Sequence, residues 1–541
     1  MFIPHIKTNR FSGEEHRISP LSAEGECWRL VKKTPLGDKW KPAGSRQNIL
    51  KVLIPGCIVL LCVLVQALPG QIKQAEFTSS VRPSESEVLA TVAGKVITVQ
   101  DFKERSEFTV RPDNFKSKET TLHNLILEKI LALEAEHSRK FTLTSGMQAN
   151  VEGIKEQEMR AQLYYKEAFE KIKLNPGEVN AAYALATREY EVEFYRLPNK
   201  NFAERARDVM KNSPDGSARL FREIEETLGK QPLHHVKYED GDDDAIHNAL
   251  FTEPVDTGSV IGPVQLSDGG FLVMKINKWV VHPRISSEEQ QLHWSKVSDV
   301  LRNRKAAVRW REYQREVMKG KRLEFQKQAF EALSAWARAN YFKQKKDDSL
   351  HIPFVIEGNI PERDRGSQLF LLEKKAWTME DFRNLIRTHP LVYRTTALDS
   401  SNFRTQFKLA VIDLIRDYYL TKAAYKKKLE KSGEVKKTVN LWKDSFFSSC
   451  IQKSIIDSGL AKGMFRSDDQ RGRSEYWNAQ LDALQNKYAK SITVNHELLK
   501  SITLTKIDMI AMKPGFPYPL EVPQFPLLRI SENLNYAGDS K

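Results

Sequence analysis

The sequence predicts a mostly α-helical protein with several domains. Its 541 residues are enough for two to four domains that each bury a core of their own. Two stretches have the i, i+3, i+4 apolar spacing of amphipathic helices, and both follow the same short pattern of strand, turn and helix. Residues 286–348 are dense in Lys, Arg, Glu, Gln and Ala, and they predict further long helices.

The short pattern is a repeat. Residues 89–103 and 369–383 start 280 positions apart and agree at five of their fifteen positions without a gap. Many strands and turns precede a helix, but chance rarely places five identities in register. We therefore expect the two stretches to be copies of one unit.

Each copy carries the signature of a helix start. Thr98 is placed to accept a hydrogen bond from the backbone N–H of Asp101, whose carboxylate can reach back to the N–H of Thr98. Thr378 and Asp381 repeat this capping box in the second copy. We interpret these four residues as structural capping groups and not as parts of an active site.

An amphipathic helix follows each capped helix. The capped helices are expected to end before Pro112 and Pro390, because a residue that precedes proline disfavours the helical conformation. The apolar face of the next helix is expected to consist of Leu122, Leu125, Ile126, Ile130 and Leu133 in the first copy. In the second copy it is expected to consist of Phe407, Ala410, Val411, Leu414, Ile415 and Tyr418.

An apolar run near the N-terminus predicts export. Residues 52–68 are seventeen positions without a charge, and the 51 residues before them contain ten Lys and Arg against five Asp and Glu. The basic side should stay in the cytosol, so we expect the remainder in the periplasm or anchored to the inner membrane and facing the periplasm. Residues 49–68 fit either a single transmembrane helix or a signal peptide cleaved before Leu68.

The charge pattern, the cysteine content and the absence of common catalytic motifs argue against several classes of function. The net charge is +14, but basic and acidic residues alternate and no nucleic-acid-binding pattern accompanies them, so we expect no nucleic-acid partner. Cys450 is the only cysteine that follows the apolar run, which argues against a disulfide framework there. The sequence has no nucleophile elbow, P-loop or G-x-G-x-x-G, and we expect neither a cofactor nor a catalytic residue.

The first copy and its long helix resemble the N-terminal chaperone module of the exported parvulin-type peptidyl-prolyl cis-trans isomerases and chaperones, the SurA/PpiD/PrsA-like family. The resemblance lies in VLATVAGKVITVQDFKERSEF and LHNLILEKILALEAE; it covers residues 87–190 and, more weakly, residues 370–428. In that family the module forms a groove for unfolded polypeptide. The resemblance implies a chaperone that needs no ATP and whose partners are unfolded or partly folded exported proteins.

A middle segment resembles the small α+β parvulin domain of the same family. Its expected first strand is YEVEFYRLP, and GSVIGPVQLSDGGFLVMKINKW supplies the last two strands. Phe251 falls where a substrate-pocket phenylalanine is usual in the family. The residues that we expect to line an apolar peptide-binding groove are Phe194, Phe251, Phe271, Leu272 and Met274.

The histidine pair of that family is missing. No histidine lies between Asn175 and Lys200, Leu272 stands where the second would be, and residues 233–238 replace the family's glycine-rich segment. Isomerisation requires no nucleophile or metal, but the pocket must lower a barrier of ~18–20 kcal/mol by twisting the amide. We therefore expect peptide binding with weak or lost isomerase activity. An active isomerase that uses other residues and a non-catalytic scaffold for envelope assembly stay open as alternatives.

Histidines and aspartates crowd into residues 234–247, which raises the question of a metal site. The aspartates begin like a calcium loop, but Ala245 and Phe251 stand where a glycine and a bidentate glutamate are needed. An acidic turn at the N-terminus of a helix is the better interpretation, and we expect no bound metal.

These observations combine into one expected organisation. The expected parts are a basic leader at 1–48, a signal peptide or transmembrane helix at 49–68, a first SurA-N-like helical module at 86–180, a parvulin-like domain at 181–284, long charged helices at 285–350, a second SurA-N-like module at 351–430, and a C-terminal helical region at 431–541. Residues 513–526, which interleave prolines with aromatic residues, are expected to lie extended along their own domain.

Overall fold

The computed structural model describes most of the residues that follow position 83. The described residues are 84–106, 114–138, 141–197, 199–212, 215–240, 243–266, 269–346, 366–394, 398–504, 522–523, 525–526 and 528–529. The leader, the apolar run and Pro112 lie outside them. None of the helices within these ranges combines the length and the apolar character that a membrane-spanning helix requires.

The described part of the protein is mostly α-helical with small antiparallel sheets, which confirms the predicted fold class. The strands are β1 Val88–Val92, β2 Lys95–Thr98, β3 Arg188–Leu197, β4 His234–Lys237, β5 Val260–Gln265, β6 Phe271–Val281, β7 Leu323–Phe325, β8 Gln368–Leu372, β9 Lys375–Thr378 and β10 Ile492–Val494. The helices are α1 Val99–Ser106, α2 Phe115–Ser138, α3 Ser145–Tyr164, α4 Pro176–Ala186, α5 Lys200–Asn212, α6 Gly216–Leu228, α7 Asp244–Phe251, α8 Ser287–Met318, α9 Lys327–Lys346, α10 Met379–Thr388, α11 Phe403–Lys426, α12 Gly433–Ala461, α13 Gln470–Tyr488 and α14 His496–Ser501.

Both copies of the repeat form the same capped hairpin. Asp101 N donates to Thr98 Oγ1 at 3.1 Å, and Thr98 N donates to Asp101 Oδ2 at 2.9 Å. Thr378 and Asp381 make the same two bonds at the same distances. The two-residue turns at 93–94 and 373–374 both have positive φ, as tight hairpin turns require. The predicted capping boxes are confirmed, and the correspondence extends to the turns.

A third strand completes each sheet. The strand orders are β10-β1-β2 and β7-β8-β9, with all neighbours antiparallel. Equivalent backbone bonds hold the added strands, because Asn495 N donates to Leu89 O at 2.9 Å and Gln326 N donates to Leu369 O at 3.0 Å. In the β7-β8-β9 sheet the added strand β7 precedes the hairpin in the chain. In the β10-β1-β2 sheet the added strand β10 follows the hairpin by some 400 residues, and the contacting residues Thr91 and Thr493 are 402 positions apart.

The two sheets organise two helical modules. The first module comprises β1, β2, α1 and α2 together with α13, β10 and α14, and its core contains Leu89, Phe102 and Ile126 beside Leu481 and Leu499. The second module comprises β7, α9, β8, β9, α10 and α11. Its core is aromatic and includes Phe330, Phe370, Trp377, Phe382, Phe403 and Phe407.

Helix α3 contacts the second module at a close crossing. A Cβ atom on Gly153 of α3 would lie 2.1 Å from the backbone oxygen of Thr388, which is the last residue of α10. His389 Nε2 also lies 2.7 Å from the Glu156 carboxylate on α3. The crossing therefore depends on a residue without a side chain.

A separate four-stranded sheet is inserted between α4 and α8. Its strand order is β4-β3-β6-β5, and every neighbouring pair is antiparallel. Helix α7, with parts of α4 and α8, covers one face of the sheet, and α5 and α6 cover the other. We call β3 to β6 with α5, α6 and α7 the inserted domain.

Candidate peptide-binding face

Strand alternation divides the five predicted peptide-binding residues between two faces. Leu272 and Met274 of β6 point into the cluster under α7, together with Phe194 of β3 and Phe251 of α7. Phe271 points into the opposite cluster, under α5 and α6. Successive residues of a strand face opposite sides, so Phe271 and Leu272 cannot line one groove. The structure brings together four of the five residues.

Burial separates these four residues further. Phe251 is 4% exposed, Leu272 is 5% exposed and Met274 is fully buried. Phe194 is partly exposed, so it is the member of the set that a bound peptide would contact most directly. Phe251, Leu272 and Met274 form the floor beneath it.

The rim of this face comes from the edge strand β5 and the residue that follows it. Ile261, Val264 and Leu266 are partly buried apolar residues that pack against the same cluster as Phe194. With Phe194 they form the surface that we call the apolar face. Its partly exposed side chains offer dispersion contacts and apolar burial, neither of which depends on a particular partner sequence.

Gly262 allows β5 to lie close to β6 at this rim. Its φ is +128°, and a Cβ atom there would lie 2.6 Å from the backbone oxygen of Leu272. The register of β5 on β6 shifts between Ile261 and Val264, and Val264 then lies opposite Leu272. A residue with a side chain at position 262 would push the rim away from the floor.

A histidine that the sequence did not place in the site lies against Phe194. His234 of β4 stacks on the Phe194 ring, with 4.4 Å between ring centroids and 21° between ring planes. His234 is exposed, and β4 brings it there because Val192 of β3 pairs with it. The pairing joins positions 42 residues apart in the numbering, and no local sequence signal predicts it.

A second histidine, His247, lies beneath the apolar face and has a structural role. His247 of α7 is buried, and its Nε2 donates to the backbone oxygen of Tyr238 at 3.1 Å. Burial and, after it, the nearby Arg304 guanidinium lower the pKa of His247 to about 3. The imidazole is neutral at physiological pH. It packs against Phe251, whose ring also contacts Tyr190 edge-on.

The acidic segment before α7 makes capping interactions. Asp243 Oδ1 accepts a hydrogen bond from the backbone N–H of Ala245 at 2.9 Å, which caps α7. Asp240 accepts from the N–H of Lys237 at 2.7 Å, and His235 pairs with Glu189 at 3.0 Å. Among the described residues, no group of three or more acidic, histidine or cysteine side chains could hold a metal ion. Gly241 and Asp242 are outside the described residues.

Comparison with known proteins finds a likeness to solved structures of foldases. No protein-family model matches the sequence, and no curated protein matches it. The structures include the foldase protein PrsA from Streptococcus pneumoniae, with 12% identity and a TM-score of 0.19, and PrsA from Lactococcus lactis, with 13% and 0.17. PrsA from Bacillus subtilis has 16% identity and a TM-score of 0.14. They cover 41%, 43% and 42% of this protein and 89%, 93% and 92% of their own length.

Proposed function

We propose that this protein is an ATP-independent chaperone for exported proteins, of the parvulin type, which binds unfolded polypeptide and isomerises prolyl bonds weakly or not at all. The apolar face carries the proposal, because a partly exposed Phe194 lies over an apolar floor that includes Leu272. The sequence resemblance to parvulin chaperones supports the same function. It also supports export to the envelope, with residues 49–68 as signal peptide or anchor.

The chemistry of the apolar face favours binding over catalysis. The family's second histidine position is Leu272, which is 5% exposed and contributes only hydrocarbon to the floor. An apolar floor offers no hydrogen bond to a twisting amide, so the barrier of ~18–20 kcal/mol for rotation would be lowered little. Extended apolar segments of many sequences would still gain from burial there.

The central experiment measures suppression of aggregation without ATP. The full-length protein should keep several unrelated unfolded proteins soluble, and Phe194→Ser should weaken that effect because it removes the exposed aromatic contact. Val281→Ser is the matched control, since Val281 is 46% exposed on β6 but does not belong to the apolar face. Circular dichroism of both variants checks that they fold.

Two other outcomes would favour the alternatives. Binding to a single folded partner, with no effect on unfolded proteins, would contradict the chaperone function and favour an assembly scaffold. A proline-peptide isomerisation assay should show turnover far below that of active parvulins. Turnover comparable with theirs would instead identify an active isomerase.

A further inference from the structure

Two residues near the C-terminus, Leu528 and Arg529, lie in a groove between α2 and α13 of the first module. Leu528 and Arg529 are separated from the end of α14 at Ser501 by residues 502–527 and lie against α2 and α13. Both are buried, with exposures of 6% and 5%. The segment therefore occupies the module much as a bound peptide would.

One asparagine holds the backbone of this segment. Asn124 of α2 is 1% exposed, and its Oδ1 accepts from the backbone N–H groups of Leu528 and Arg529 at 2.9 and 3.0 Å. Its amide Nδ2 donates to the backbone oxygen of Arg529 at 3.2 Å. Trp477 of α13 donates through Nε1 to the backbone oxygen of Leu528 at 2.9 Å. These four contacts are made to backbone groups and do not depend on the side chains of the segment.

Two further contacts select side chains. The Leu528 side chain joins the apolar core of the first module, in the same cluster as Trp477 and Leu481. The Arg529 guanidinium bonds to the Asp482 carboxylate, to the Asn478 backbone oxygen at 3.2 Å and to Gln485 Oε1 at 3.4 Å. The groove thus combines an aliphatic slot with an acidic and carbonyl-lined pocket that matches arginine geometry.

The ion pair at the mouth of the pocket is partly open to water. The Asp482 side chain is 58% exposed, whereas that of Arg529 is 3% exposed. Water screening weakens such a pair, so the segment is held mainly by the backbone contacts and by burial of Leu528. Pro523 and Pro526 stiffen the segment before Leu528 and reduce the entropy lost on docking.

We propose that this groove binds polypeptide segments with a bulky aliphatic residue followed by arginine, and that Leu528 and Arg529 are a resident competitor for it. The inference rests on the proposed function for the nature of the partner, which is unfolded polypeptide. The groove lies on the first module and the apolar face lies on the inserted domain. A negative result for one binding site can therefore be distinguished from a negative result for the other.

The test uses the full-length protein and a fluorescein-labelled peptide of residues 522–533. In the wild-type protein the resident segment competes and the peptide should bind weakly. Arg529→Glu places a buried carboxylate beside Asp482, and the repulsion should drive the resident segment out of the groove. The affinity for the peptide should then rise by about tenfold or more, because apparent affinity rises with the fraction of empty grooves. Arg466→Glu is the matched control, since Arg466 is 83% exposed in the turn before α13, and it should leave the affinity unchanged.

A second substitution tests the arginine pocket. Adding Asp482→Arg to the Arg529→Glu variant should abolish the gain, because the pocket would then repel the peptide's arginine. The proposal is overturned if a folded Arg529→Glu variant binds the peptide no better than the wild type, or if the gain survives Asp482→Arg.

Hydrogen exchange of the wild-type protein covers the case in which Arg529→Glu does not fold. A saturating amount of unlabelled peptide should speed exchange at the amides of Leu528 and Arg529, which Asn124 now holds. Unchanged exchange at both amides would overturn the proposal. Because binding is read directly, the result is independent of the aggregation assay with Phe194→Ser.

Discussion

Arg105 and Glu128 form a doubly hydrogen-bonded ion pair in the core of the first module. Arg105 Nη1 and Nη2 donate to Glu128 Oε1 and Oε2, both at 2.9 Å, and the two side chains are 0% and 1% exposed. The pair joins α1 to α2. The equivalent position in the second copy, 280 residues after Arg105, is Leu385. An apolar side chain therefore replaces the arginine there.

Removing one partner of this pair should destabilise the first module strongly. Glu128→Gln leaves the Arg105 cation buried without its counter-charge, which costs about 3–5 kcal/mol. The double variant Arg105→Leu, Glu128→Leu should recover most of that loss, because no charge is then buried. Hydrogen exchange at the amides of α1 and α2 measures the effect locally. A double variant as unstable as Glu128→Gln would contradict this account.

Gly153→Ala should loosen the contact between α3 and the second module. The added Cβ would lie 2.1 Å from the Thr388 backbone oxygen, and a backbone atom has no rotamer that moves it away. We expect a loss of about 1–3 kcal/mol, read as a lower midpoint of urea unfolding and faster exchange in α10. Gly146→Ala is the control in the same helix, because its nearest atom would be 3.9 Å away. Equal effects of the two substitutions would refute the steric argument.

The inserted domain should lose stability in mild acid through His247. Its pKa lies at about 3 in the folded protein against an ordinary value of 6.5, so only the unfolded state takes up a proton between those values. The free energy of unfolding is therefore highest above pH 6.5 and falls by about 2 kcal/mol between pH 7 and pH 5. It continues to fall until the pH reaches the folded pKa.

The free energy of unfolding can be measured by hydrogen exchange at the amides of β3 and β6 as a function of pH. The exchange rates must be corrected for the intrinsic pH dependence of hydrogen exchange. His247→Gln keeps a donor for the Tyr238 oxygen and should flatten the profile, whereas His235→Gln, which changes an exposed histidine of the same domain, should not. If the free energy of unfolding of His247→Gln fell with decreasing pH as steeply as that of the wild type, other groups would be responsible for the acid sensitivity.

The two capping boxes should contribute independently, and Thr98, whose hydroxyl also accepts a hydrogen bond from Lys437 Nζ at 3.4 Å, should contribute at least as much as Thr378. Thr98→Ala and Thr378→Ala each remove the same hydrogen-bond acceptor from a helix start, which should cost about 1 kcal/mol in its own module. Serine at either position keeps the hydroxyl and is the conservative control. Exchange at the amides of α1 and α10 reports the two modules separately, and the double variant should show the sum. A cross effect on the other module would contradict independence.

The structural features that the sequence predicted correctly are those that depend on residues close to one another in the chain. The capping boxes at Thr98 and Thr378 depend on contacts three residues apart, and the structure contains both. The four candidate residues that share one cluster, namely Phe194 and the three residues of the floor beneath it, owe their grouping to strand alternation and to one helix. The same alternation, applied to Phe271 beside Leu272, is enough on its own to remove Phe271 from that set.

What the sequence could not predict depends on distant pairing. A strand of three residues such as β10 has too little pattern to identify, and its partner β1 lies about 400 positions away. The clamp of Asn124 on Leu528 joins residues 404 positions apart, and a lone asparagine in an amphipathic helix carries no sign of it. His234 reaches Phe194 for the same reason, through strand pairing alone.

The position of β10 near the C-terminus sets the order in which the protein can be completed. Translation releases the N-terminus first, so β1 exists long before residues 492–494 leave the ribosome. The second module has all three of its strands once residue 378 has been made, so its sheet can be completed early. Throughout that interval β1 keeps one open edge, which is a template for unwanted strand pairing. A nascent polypeptide that stops anywhere before β10 would carry that open edge permanently.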